Sequence, residues 1–178
     1  MRYALLTLIV VIVVKGDSRS WKQEPTSFLG VTFGKPLSAS YPECPKSTRS
    51  GRTTYTPIVG ATCWEQGSND AILIRPGEFF DIYVQSIDGK VANISASFKH
   101  SDFPKISKEL IAQYGEPHWR NHPPMQMTDG RTLPSDGLNW FGNDIQFFCE
   151  SQSPIPGQGM LGMNNMAWER LIERIARE

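Results

Sequence analysis

From Val91 to Phe98 apolar and polar residues alternate, with Ala92, Ile94, Ala96 and Phe98 on one face and Asn93, Ser95 and Ser97 on the other. This is the period of a half-buried β-strand. Asp81 to Ile87 precedes it as another strand. The Asp88-Gly89 dipeptide between them accepts the positive φ of a type I′ turn, so the two segments are expected to pair as an antiparallel hairpin. Ala71 to Arg75 reads as a strand as well. Phe28 to Phe33, β-branched and aromatic and closed by Gly34-Lys35-Pro36, reads as a first strand and turn. The following stretch to Gly60 contains Pro42, Pro45, Pro57 and the polar run Ser47 to Thr54, and is expected to be an exposed loop.

After Phe98 the period changes. Phe103, Ile106, Leu110, Ile111 and Tyr114 fall on one helical stripe. Ser101 or Asp102 can cap its start, and Pro104 suits the first turn. Gly115 stops the helix, with Pro117 just beyond. Residues 118–137, with Pro123, Pro124, Gly130, Pro134 and Gly137, read as loop. A second hairpin is expected from Leu138 to Phe141 and Ile145 to Cys149, joined by Gly142-Asn143-Asp144. Pro154 to Gly159 interrupts the chain, and Met160 to Met163 adds a short last strand. Trp168, Leu171, Ile172 and Ile175 mark a C-terminal amphipathic helix. The expected fold class is α+β: an antiparallel sheet of hairpins covered by one central helix and a C-terminal helix, in a single domain over residues 21–178.

The N-terminus departs from this pattern. Met1 and Arg2 precede the uncharged run Tyr3 to Val14, and Ser18-Arg19-Ser20 places small residues at the −3 and −1 positions before Trp21. Residues 1–20 read as a secretory signal peptide. As a helix the run would be about 18 Å long, short of the roughly 30 Å hydrocarbon core. The charged Lys15, Asp17 and Arg19 make a poor cleavage region, which leaves an uncleaved membrane anchor as the alternative. Trp21 to Ser27 reads as a short leader.

Across the 178 residues, 18 Lys and Arg balance 18 Asp and Glu, and 39% of residues are hydrophobic. Wholesale disorder is excluded by that apolar share. With no block of Lys and Arg, the clustered cationic surface that nucleic-acid phosphates require is absent, so no nucleic-acid partner is expected. An exported chain folds where disulfides persist. Of the three cysteines, Cys44 and Cys63 flank a polar, turn-rich stretch without apolar anchors, and are the expected pair. Closing that ring contributes about 3 kcal/mol in the loop-entropy model. Cys149 ends the alternating segment Ile145 to Cys149 and reads as a buried small hydrophobe.

One partial resemblance bears on function. The helix ending Tyr114-Gly115-Glu116-Pro117, the loop after it, Trp140 and the strand Ile145 to Phe148 together resemble a unit of small bacterial envelope domains. These are the outer-membrane-assembly lipoproteins and β-lactamase-inhibitor proteins, and the resemblance covers about 50 residues. It implies a non-enzymatic, protein-binding role in the envelope. Unlike the lipoproteins, this chain has no lipid-attachment Cys after its apolar run.

Candidate chemistry is sparse. Gly157-Gln158-Gly159-Met160-Leu161-Gly162 satisfies G-x-G-x-x-G, but Pro154 and Pro156 spoil the strand that a dinucleotide site needs before it. Gly30 to Lys35 has three residues rather than four between its glycines and runs into Pro36, so it is no phosphate loop. His118 and His122 have the spacing of two metal ligands on one helix face, but Pro117, Pro123 and Pro124 disfavour a helix. In a loop they could converge with Glu116 or Asp129; two solvated histidines is the simpler reading. No metal or cofactor is assigned. Gly-x-Ser-x-Gly, Ser-x-x-Lys, His-Glu-x-x-His and Cys-x-x-Cys are all absent from the sequence.

The Pro-flanked loop Glu116 to Pro124 holds Trp119 and Arg120, residue types enriched at binding hot spots. Trp119, Arg120, His118 and His122 are therefore candidate contact residues, with core packing as the alternative for Trp119. Tyr55 and Trp64, beside the expected disulfide, are a second candidate pair. The resulting expectation is an exported, periplasmic or secreted, binding or inhibitory module whose partner is another envelope or extracellular protein. The alternatives are a secreted hydrolase with a site assembled only in three dimensions, for which Glu78, Asp81, Asp102 and Asp144 are available carboxylates, and a structural envelope component.

Overall fold

A computed structural model describes residue 21 and residues 24–49, 52–55, 60–67, 70–75, 77–122, 124–166 and 170. The expected signal peptide and the apolar stripe of the expected C-terminal helix lie outside the described residues. The chain begins with a small hairpin, β1 (Ser27–Phe28) and β2 (Val31–Thr32), followed by a 3-10 turn at Leu37–Ala39 and a second hairpin, β3 (Lys46–Arg49) and β4 (Arg52–Tyr55). Next come β5 (Cys63–Gln66), β6 (Ala71–Ile74), β7 (Phe80–Ile87) and β8 (Lys90–Lys99). Helix α1 (Phe103–Tyr114) leads to β9 (Trp119–Asn121), and β10 (Pro124–Gln126) pairs with β11 (Thr132–Pro134). The chain then forms β12 (Gly137–Phe141), β13 (Ile145–Glu150) and β14 (Gln158–Asn165).

Eight of these strands make one sheet in the order β5-β6-β7-β8-β14-β13-β12-β9, antiparallel at every pairing. Each half of the sheet winds inward from an edge strand, so β8 and β14 meet as the central pair. The protein is therefore mainly β, which corrects the expected α+β class with two helices. Helix α1 is the one α-helix whose whole course lies within the described residues. The expected first strand is a hairpin turning at Leu29-Gly30, with φ of 50° and 79°. The two stretches read as loop contain β3 and β4, and β9, β10 and β11. Their prolines and polar residues are compatible with short two-stranded ribbons and an edge strand, where fewer N–H groups need a ladder partner.

Several local expectations hold. The β7–β8 hairpin turns through Asp88 and Gly89, both at positive φ. Helix α1 starts with Pro104 in its first turn and ends at Gly115, whose φ of 90° no β-carbon tolerates well. Asp102 precedes the helix but makes no side-chain capping bond. Ile106, Leu110 and Tyr114 face the sheet and join a core with Ile94, Ala96, Phe98, Trp140, Phe147, Leu161 and Met163. Tyr114 meets Phe147 edge-on at 5.5 Å between ring centres, and Trp140 stacks on Phe147 at 5.1 Å.

The leader belongs to the core. Trp21 is 9% exposed and packs 5.7 Å from the Tyr114 ring and 6.4 Å from Trp140. Three residues on, the Glu24 carboxylate accepts backbone N–H bonds from Asn143, Asp144 and Ile145 at 3.0, 2.7 and 2.6 Å. Cys44 and Cys63 form a disulfide, with Cα atoms 4.9 Å apart, tying the first segment to β5. The same junction carries the Glu43–Trp64 bridge and the Cys44 N–H bond to the Trp64 carbonyl. Cys149 is free and buried. Among the described residues no helix is long and apolar enough to cross a membrane.

Candidate docking face

Residues directly opposed in an antiparallel pair share a face of the sheet, so the register assigns each side chain. Ile94, Ala96 and Phe98 of β8 oppose Met163, Leu161 and Gly159 of β14 on the inner, helix-covered face. The other face carries three long cross-strand rows. The middle row crosses all eight strands as Glu65, Ile72, Tyr83, Ser95, Gly162, Phe148, Asn139 and Trp119. Beside it runs Gln85, Asn93, Asn164, Gln146 and Phe141, and on its other flank Phe80, Ser97, Met160, Glu150, Gly137 and Asn121. Most of these side chains are half-buried or exposed. Trp119 is 57% exposed, Phe141 43% and Tyr83 42%.

Two glycines shape this surface. A β-carbon on Gly162 would sit 2.7 Å from Phe148 Cε1, so the Phe148 ring lies over the β14 backbone. Gly137 is likewise covered by the Asn121 amide. On the opposite face Gly159 makes room for Phe98. The glycines of the G-x-G-x-x-G match at 159 and 162 thus serve side-chain packing within a strand. Charge on the three rows is acidic, from Glu65 and Glu150 with Asp81 beside them at a bulge, and Lys99, opposite Gln158, adds a cation one row further out on the same face. Burial pushes the Glu150 carboxyl above the usual range.

The candidates from sequence separate on this framework. Trp119 lies on the open face, at the edge strand β9, and not in the core. Arg120 points to the other side, opposite Leu138, and pairs with Glu116 at 2.8 Å. His118 Nδ1 accepts the Phe141 N–H at 3.1 Å, and its ring lies 6.4 Å from Trp21. His122 is exposed, 2.6 Å from the Asp136 carboxylate. Extended chain between the two histidines spans about 13 Å at ~3.3 Å per residue, so they do not converge. Asp129 is engaged by Arg131, which holds its carboxyl below the usual carboxylate range. Among the described residues no cluster of three His, Cys, Asp or Glu could hold a metal.

Tyr55 donates to Glu43 at 3.4 Å, and Trp64 donates from Nε1 to the Tyr41 carbonyl at 3.0 Å. Trp64 lines a hollow of about 330 Å³ on the helix side, with Leu37 and Gln66. The Tyr55–Trp64 pair therefore stands apart from the open face. Of the carboxylates, Glu78 pairs with Lys105. Burial raises the Cys149 thiol far above its ordinary range, which leaves it without thiolate character.

Sequence reasoning missed Tyr83, Phe141 and Phe148 as site residues. The alternation in β7, β12 and β13 identifies outward positions, but only the strand order brings them onto one surface. The chain matches no protein-family model and shows no significant similarity to a curated protein or a solved structure.

Proposed function

We propose that this chain is an exported, non-enzymatic binding or inhibitory module that docks an envelope or extracellular protein on the open face of its sheet. The observation that carries this reading is the set of exposed aromatics on that face: Trp119, Phe141 and Tyr83, with Phe148 lying flat between them. Rigid aromatic side chains supply large contact area at low entropic cost, and they recur at hot spots. Eight strands at about 4.8 Å spacing make a surface about 34 Å wide. The three rows hold 8, 5 and 6 residues, and at about 4.8 Å by ~6.6 Å per position they cover about 600 Å². That area is about three quarters of the ~800 Å² per partner of a standard interface. The Cys44–Cys63 disulfide is compatible with an oxidising compartment.

The test is site-specific photo-crosslinking in envelope extract. A photoreactive residue at Tyr83, Phe148 or Trp119 is expected to capture one partner band, and the same residue at Lys108 on the exposed side of α1 is expected to capture none. Equal capture from Lys108, or no capture from any face position, overturns the reading.

A further inference from the structure

The open face is not uniform: it has a concave place beside β7, and the chain is locally distorted there. Between Phe80 and Tyr83 the register of β7 against β8 slips by one residue. Asp81 occupies the slip with φ of 47°, a left-handed conformation uncommon for a residue other than glycine. Bulges of this kind re-aim a side chain and gather beside functional sites. Here the bulge sets Asp81 on the rim of a groove of about 270 Å³, floored by Met160 and Ser95 and walled by Tyr83 on one side and Pro154 and Ile155 on the other. Tyr83 and Ile155 are two of the four large hydrophobic residues that the described part of the protein exposes. Among the described residues Asp81 has no hydrogen-bond or ion-pair partner.

The geometry points to this groove as the receptor for a single lysine or arginine side chain of a protein partner. The groove is smaller than the ~300–1,000 Å³ of sites for drug-sized ligands, which matches one side chain rather than a cofactor. Most of its lining is apolar, with Ser95, Ser97 and Ser153 the neutral polar residues, and it has one carboxylate, one aromatic ring and no cation. A long amphipathic cation satisfies all three. The methylene stem lies against Met160 and Ile155, as such stems do on apolar surface. The charged head meets the Asp81 carboxylate and the face of the Tyr83 ring. Glu65 on the same face adds to this preference, while Lys99, two residues beyond Ser97, stands outside the groove lining. An acidic or neutral side chain would leave Asp81 opposed or unmatched.

This inference rests on the reading of the open face as a docking surface, and the probe is chosen to separate the two. Capped tripeptides Gly-Arg-Gly and Gly-Lys-Gly, with Gly-norleucine-Gly and Gly-citrulline-Gly as uncharged counterparts, are titrated at millimolar concentration into the ¹⁵N-labelled protein. The cationic peptides are expected to shift the amides of Asp81, Tyr83, Met160 and Ile155, and the uncharged ones to bind at least fivefold more weakly. Asp81→Asn, which suits the left-handed backbone, is expected to weaken the cationic peptides about fivefold to tenfold. Tyr83→Leu is expected to weaken them about threefold, because it keeps apolar contact and removes the ring. The spectra themselves report whether each variant is folded. No groove shifts with the cationic peptides, or equal binding of the norleucine peptide, overturns the groove's assignment. Either result leaves the crosslinking from Phe148 and Trp119 to decide the docking face independently.

Discussion

Glu24 and Gly142 lie 118 residues apart in sequence and are expected to behave as one unit. The Glu24 carboxylate takes three consecutive N–H groups of the β12–β13 turn, and a β-carbon on Gly142 would run into that carboxylate. In Glu24→Ala all three donors lose their partner. Hydrogen bonds to a charged group are worth about 1.5–3 kcal/mol each, but water replaces the acceptor wherever it can reach. The Asn143 and Asp144 donors are exposed and the Ile145 donor is part-buried, so the net loss is set mainly by Ile145 and comes to about 1–3 kcal/mol. Gly142→Ala acts on the same bonds from the other side. Gly142 is not among the positive-φ residues, so its backbone accepts alanine. The added methyl displaces the carboxylate and costs the same ~1–3 kcal/mol. Once Glu24 is alanine there is nothing left to displace, and Gly142→Ala becomes neutral or slightly stabilising through the unfolded state. Urea unfolding of wild type, both single variants and the double variant gives the cycle, with m-values checked for equality. A coupling of about 1–3 kcal/mol is expected, and additivity within ~0.5 kcal/mol would refute the clasp.

Leu110 and Trp119 report on opposite sides of the sheet. Leu110→Ala, at a site 6% exposed, is expected to cost about 2–5 kcal/mol. A hollow of about 290 Å³ already lies beside Leu110, between the helix and Phe28, which favours the lower half of that range because water can enter the vacated space. Trp119→Ala is expected to leave the melting temperature within a degree or two, yet to abolish crosslinking from Phe148; a melt as low as that of Leu110→Ala would place Trp119 in the core. Non-reducing peptide mapping is expected to link Cys44 to Cys63, and an aromatic disulfide reagent to leave Cys149 unlabelled until the protein is unfolded. Labelling of the folded protein, or any link to Cys149, contradicts the buried thiol. Reduction of the disulfide is expected to cost about 3 kcal/mol, from the entropy of reopening a ring of this size.

The parts of this architecture legible in the sequence are those governed by a few adjacent residues. Asp88-Gly89 allows positive φ at two successive positions, and the turn follows. Phe103 to Tyr114 has a helical period with Pro104 at its start and Gly115 at its end. The alternation in Val91 to Phe98 separates an inner face from an outer one before any partner strand is known. The Cys44–Cys63 pairing is also local, since both residues bound one short segment. Composition misled where pairing energy outweighed propensity. The polar run at residues 47–54 and the proline-rich residues 118–137 have no strand period, yet each forms short ladders because neighbouring backbone supplies the hydrogen bonds that their side chains do not advertise.

What the sequence by itself determined, then, is which residues turn, which coil and which way each strand faces, because those depend on φ and ψ preferences and on a two- or 3.6-residue period. The tertiary structure alone decided that β14 returns to the centre beside β8, that Trp21 and Glu24 lock onto residues about 120 positions away, and that Tyr83, Phe148 and Trp119 share one row. These depend on register between segments far apart in the chain. Register is selected by the summed burial of one whole face and the ladder bonds of all eight strands, and no single segment carries that sum.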